Sequence, residues 1–170
     1  MSNYKTVFFI LGVLQIILGL SMIVPIMAQF YYNQVDSGFI GSGLVSIIFG
    51  VLFFLSNLDY EKKLTLPQAF LLTALSWLSI AIFGSLPFVF SDLSLSFTNA
   101  FFESMSGITT TGSTILTNLN ETPKAILLWR AMLQWLGGIG IIVMAITLMP
   151  IMNIGGCLLY TSDAADDPTC

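Results

Sequence analysis

The sequence predicts an all-α polytopic membrane protein made of two leading transmembrane helices and one helix–pore-loop–helix repeat. Three observations lead there. Hydrophobic residues make up 56% of the 170 residues and charged residues only 8%, whereas a soluble domain carries about 25% charge. Four apolar runs are each long enough to cross a bilayer, which takes about 20 residues. Between the third and fourth lies a shorter apolar segment, followed at once by threonines and a glycine.

The first run, residues 7–28, is interrupted mainly by Gln15. Lys5 ahead of it would also suit a secretory signal peptide. Such a peptide has an apolar core of about 7–15 residues and a small-x-small cleavage site. The length of the run and the poor site at Met27-Ala28-Gln29 favour a spanning helix, with Pro25 expected to bend its far end. Phe30-Tyr31-Tyr32 reads as an interfacial anchor.

The second span, residues 38–58, carries Gly41, Ser42, Gly43, Ser46 and Gly50. Small residues there either allow close helix contact in lipid or are simply tolerated. Residues 1–58 thus form the leading pair, and residues 59–66 a polar loop containing Lys62 and Lys63. The third span covers residues 67–90 and ends near Pro87. Lys5 and the Lys62-Lys63 pair flank one side, and the 33–37 loop has no basic residue. The positive-inside rule then places the N-terminus and the 59–66 loop in the cytoplasm.

Residues 96–107, SFTNAFFESMSG, are too apolar for a solvated loop and too short to span. They read as a re-entrant pore helix at about 97–107. Thr109, Thr110, Thr111, Gly112, Ser113 and Thr114 follow, and then a polar return. The fourth span opens at Thr122-Pro123, an N-cap followed by proline at the first helical position. It passes Arg130 and the Gly137-Gly138-Ile139-Gly140 cluster, and Pro150 marks its end. The repeat therefore occupies residues 67–150.

Backbone at membrane depth must be helical unless it is buried in protein or lines water. A half-helix followed by extended backbone thus implies a cavity. A potassium filter replaces the ion's hydration shell with carbonyl oxygens. Thr110 and Thr111 are β-branched and favour extended backbone. Gly112 permits the positive φ that turns successive carbonyls the same way. The half-helix would aim its partly negative C-terminal end at the cation. The alternative is an ordinary Thr/Gly/Ser loop on an interfacial helix, and the residue types leave both open.

Longer motifs add a resemblance. Residues 100–114, AFFESMSGITTTGST, resemble the first pore segment of the TrkH potassium transporters. Residues 127–143, LLWRAMLQWLGGIGIIV, resemble the helix that follows it in that family. The two leading spans suit TrkH better than its shorter-headed KtrB relatives. The resemblance implies potassium uptake across the bacterial inner membrane, with K⁺ as transported ion and no cofactor. It implies a pore built from four non-identical repeats in one chain, a homodimer, and a cytoplasmic TrkA-like nucleotide-binding regulatory subunit. The potassium-binding residues carry over as Thr110, Thr111, Gly112 and Ser113, acting through their carbonyls. Relatives that prefer sodium often have serine at the glycine position, so Gly112 favours potassium. With one repeat of the four, the chain is expected to be an N-terminal fragment. The resemblance fades near Gly155-Gly156, and residues 157–170 are expected to be a non-native tail.

The remaining chemistry is sparse. The chain has no histidine, and its two cysteines are Cys157 and Cys170. Residues 1–156 can form no disulfide and no Cys or His metal site. No nucleophile–base pair and no basic patch for nucleic acid stand out, which disfavours an enzyme. A non-transporting membrane scaffold is the main rival, but it needs no re-entrant helix with a Thr/Gly loop. An unpaired charge at membrane depth costs roughly 2.5–3.5 kcal/mol. Glu103 and Arg130 therefore either form a structural ion pair that pins the pore helix, or Arg130 snorkels outward and Glu103 faces a vestibule. Gly137, Gly138 and Gly140 are expected to permit close helix packing, with a flexible pore-lining point as the alternative. Trp129 and Trp135 are read as packing or interfacial residues.

Overall fold

The computed structural model describes residues 4–33, 36–59, 64–91, 93, 95–117, 119 and 121–151, the last five by backbone alone. Lys62, Lys63 and the 157–170 tail lie outside them. The described residues form six helices: α1 (Lys5–Ser21), α2 (Ile23–Tyr31), α3 (Gly38–Ser56), α4 (Leu66–Phe90), α5 (Phe97–Ile108) and α6 (Lys124–Ile151). Four segments are long and apolar enough to cross a membrane: Lys5–Tyr31, Gly38–Ser56, Leu66–Phe90 and Lys124–Ile146. The fold is all-α. The 12 residues of α5 reach about 18 Å at 1.5 Å per residue, well short of the roughly 30 Å hydrocarbon core.

Proline chemistry explains the interruption of the first span. Pro25 has no N–H, and its ring clashes with the carbonyl four residues earlier, Ser21. The break accordingly falls at Met22, a turn before the proline rather than beyond it, where Met22 N–H turns back to Gly19 O at 3.3 Å. Pro87 does not stop α4, which continues to Phe90; so near the helix end a single carbonyl loses its partner. The start of α4 is a capping box between Thr65 and Gln68, which satisfies two orphan donors at once. α6 begins after Pro123, whose carbonyl accepts from Ile126 and Leu127, so Pro123 rather than Thr122 takes the cap position. Pro150 lies inside the last turn of α6.

α1 and α3 meet through small residues. A Cβ added to Gly12 would lie 2.8 Å from Gly50 O, and one added to Gly50 would lie 2.9 Å from Gly12 O. Ser42, Gly43, Ser46 and Gly50 are buried along this face, whereas Gly41 points into open space. Gln15, fully buried, ties three helices together. Its Nε2 donates to Ser79 Oγ on α4 at 2.6 Å, and Ser46 Oγ on α3 donates to the Gln15 backbone carbonyl at 3.0 Å. Such interhelical bonds contribute about 0.6 kcal/mol each in membrane proteins.

The core closes around Trp129 of α6, which has no exposed surface. Its indole N–H donates to Gly84 O on α4 at 2.9 Å, and its ring meets Phe39 of α3 edge-on at 6.2 Å. Leu18, Met22, Phe88, Ala100, Ala125, Ile126 and Leu133 complete the cluster. Trp135 is 67% exposed and faces outward. This core anchors α4 and α6 on either side of α5 and so sets where the loop after α5 can run.

Candidate functional site

α5 is seated by its sequence spacing. Ala100, Glu103, Ser104 and Gly107 recur at helical intervals and are all buried. A Cβ on Gly107 would lie 3.1 Å from Leu133 Cβ on α6, and a Cβ on Gly84 of α4 would lie 2.7 Å from Ser104 Oγ. α5 is therefore wedged between α4 and α6. Ser96 caps its start by accepting from Asn99 N–H at 3.4 Å.

The C-terminal end of α5 is a double-bonded cap. Thr110 N–H donates to Gly107 O at 2.9 Å, and Thr111 N–H to Ser106 O at 3.1 Å. This is the Schellman pattern, whose turning residue adopts the left-handed conformation and is usually glycine. Here it is Thr110, with φ of +57°. A β-branched residue in that region is a true outlier, held at a cost of about 1–2 kcal/mol. Gly112, with φ of +78°, makes the second left-handed turn. Two such residues in three reverse the chain over the end of the half-helix.

Three groups grip this loop. Ser106 carbonyl also accepts from Gly112 N–H at 3.3 Å, and Ser106 Oγ donates to Ser113 O at 2.6 Å. Arg130 Nη2 donates to Gly112 O at 2.9 Å and to Ser113 O at 3.0 Å. Glu103, fully buried, binds Arg130 Nε through Oε2 at 2.9 Å. Through Oε1 it accepts from Thr114 Oγ1 at 2.7 Å and Ile115 N–H at 2.5 Å. One carboxylate and one guanidinium thus hold α5, α6 and the outgoing limb of the loop together. Arg130 is turned inward and does not snorkel away from Glu103.

The four carbonyls of the expected set differ in their protein partners. Those of Gly112 and Ser113 face the Arg130 guanidinium, whose positive charge opposes a cation there. Among the described residues no donor engages the carbonyls of Thr110 and Thr111. Gln134, one turn after Arg130, brings its Nε2 to 3.4 Å from the position of a Gly112 Cβ. Of the three glycines expected to pack closely, only Gly137 does so. A Cβ there would overlap the Ile108 carbonyl oxygen, while Cβ atoms on Gly138 and Gly140 would meet nothing within 4 Å. At 100° per residue Gly138 is turned off the side that α5 covers, while Gly140 shares the face of Gly137 but lies a turn farther along α6 than the contact with Ile108.

Sequence reasoning missed Ser106 and Gln15. Both lie at regular helical positions, and only the tertiary arrangement gives their side chains partners.

Comparison with known proteins agrees with this fold. The profile of the TrkH family, described as a cation transport protein, matches residues 35–168, and so continues past Gly156 into the tail. The chain is 38% identical over 163 residues to the Trk system potassium uptake protein TrkH of Escherichia coli, covering 95% of this chain and 34% of that one. It is 38% identical over 157 residues to an uncharacterized cation transporter of Methanocaldococcus jannaschii. The crystal structure of the potassium transporter TrkH from Vibrio parahaemolyticus superposes with a TM-score of 0.85 at 36% identity, over 91% of this chain and 34% of that one. The chain thus spans about a third of the length of the relatives it matches. It belongs to the TrkH family, a family of membrane cation transport proteins and not of enzymes.

Proposed function

We propose that this chain supplies one of four filter segments to a potassium-uptake path across the bacterial inner membrane. The observation that carries this reading is the reversal of the backbone over the end of a half-length helix, where the carbonyls of Thr110 and Thr111 meet no donor among the described residues. A dehydrating cation is the chemical complement of such carbonyls. The partly negative end of α5 adds to the attraction. Thr110 and Thr111 are then the main ligands of this segment, while Gly112 and Ser113 shape the loop. The Escherichia coli and Vibrio parahaemolyticus relatives are named for potassium, which supports K⁺ as the ion. The whole protein would act as a homodimer with a TrkA-like nucleotide-binding subunit, which the composition and mass of the purified complex would check.

A filter must surround its ion, because hydration has to be replaced from several sides. Potassium flux into liposomes is therefore expected from the full-length protein and not from residues 1–156 alone. Selective flux through residues 1–156, lost on changing Gly112, would refute the four-segment reading.

Lys5, Lys62 and Lys63 motivate an N-terminus in the cytoplasm. A cysteine at Ser37 should react with an impermeant thiol reagent applied from outside. Protection at Ser37, together with outside labelling at Lys62, would reverse the orientation.

A further inference from the structure

We infer that Ser106 is a positioning residue that sets ion selectivity, although it contributes no ligand to the ion. The inference rests on the filter reading of the 110–113 loop and adds to it a determinant on the half-helix itself. Ser106 is nearly fully buried, on the side of α5 that carries Glu103 and Gly107. It grips both limbs of the loop. Its carbonyl accepts from the amides of Thr111 and Gly112 on the incoming limb, and its hydroxyl donates to the Ser113 carbonyl on the outgoing limb at 2.6 Å.

The two grips differ in kind. The carbonyl bonds belong to the helix cap and persist with any side chain. The hydroxyl bond is specific to this side chain, and it closes a ring from α5 through Thr111, Gly112 and Ser113 back to α5. Arg130 donates to the same Ser113 oxygen at 3.0 Å. Both lone pairs of that carbonyl are then engaged from the protein side. The Ser113 peptide plane is the hinge between the two limbs. Fixing it fixes the separation of the donor-free threonine carbonyls from the rest of the loop. Discrimination between cations that differ in radius depends on that separation being held. Without the hydroxyl, Arg130 alone restrains the peptide from one side, through a long side chain that is itself shared with Glu103 and Gly112.

The test measures competitive K⁺ and Na⁺ uptake by the full-length protein, with Ser106→Ala, Ser106→Thr and Gly112→Ser compared at equal membrane abundance. Loss of one net hydrogen bond predicts about a 2- to 10-fold fall in the K⁺-to-Na⁺ ratio for Ser106→Ala. Ser106→Thr keeps the hydroxyl and is expected to restore the ratio. If the alanine variant does not accumulate, Ser106→Cys, a weak donor of similar size, is expected to show the same fall. A lowered ratio in Gly112→Ser with an unchanged ratio in Ser106→Ala would overturn this inference and leave the filter reading standing. Equal falls in the alanine and threonine variants would also overturn it, since shape rather than the donor would then matter. No change in either Gly112→Ser or Ser106→Ala would overturn the filter reading and this inference together.

Discussion

Replacing Glu103 by glutamine is expected to destabilise the pore segment by about 3–5 kcal/mol, the usual result of breaking a buried ion pair from one side. The carboxylate has no exposed surface and Arg130 is only 16% exposed. Both carboxylate oxygens are acceptors here, one toward Ile115 N–H and Thr114 Oγ1 and the other toward Arg130 Nε. An amide must place its NH₂ against one of those donors, and it leaves the guanidinium without a counter-charge. The variant should accumulate poorly in membranes and melt early in detergent. Removing both charges by Glu103→Leu with Arg130→Met should restore much of the stability, because well-packed apolar pairs often replace buried ion pairs at little cost. It should not restore selectivity, because the carbonyls of Gly112 and Ser113 would still lack Arg130. Measured stability of Glu103→Gln within 1 kcal/mol of the parent, an allowance far below the roughly 3–5 kcal/mol expected, would show that the pair does not hold α5 in place.

Much of the fold is legible in the residues because lipid imposes few options. Backbone in hydrocarbon must be helical, so length and apolarity are nearly sufficient to find the four spans. The half-helix is legible for the same reason, being apolar yet too short. Local rules worked in part: Gly112 adopts a positive φ because few other residues do so cheaply, but Thr110, expected to be extended, is left-handed at +57° because it closes the cap of α5. They failed where the cause is tertiary. Which lone pair of a carbonyl is engaged depends on Arg130, 18 residues away in sequence from Gly112, and the backbone type alone marks all four carbonyls as candidates. The partner of Gln15 is 64 residues distant, so it reads in sequence only as a polar interruption. Gly138 and Gly140 have the composition of a contact face, but Gly138 is rotated off it and Gly140 lies a turn past the contact of Gly137 with Ile108. The first break is legible because its cause is local: a proline acts on the carbonyl one turn upstream, so Pro25 puts the interruption of the far end of the first run at Ser21 and Met22.

The most direct measurement of the central claim is the K⁺-to-Na⁺ uptake ratio of the full-length protein carrying Gly112→Ser. Space is not the obstacle, since a Cβ at this position meets only Gln134 Nε2 at 3.4 Å. The obstacle is φ of +78°, which a side chain disfavours by about 1–2 kcal/mol. The same loop already holds Thr110 at +57°, so a second strained residue falls on a turn with little left to relax. The loop should then populate conformations in which the Thr110 and Thr111 carbonyls no longer hold their spacing, and the ratio should fall about 5- to 30-fold at unchanged membrane abundance. A ratio equal to that of the parent, with the protein present at normal levels, would contradict the assignment of the 110–113 loop as a filter segment.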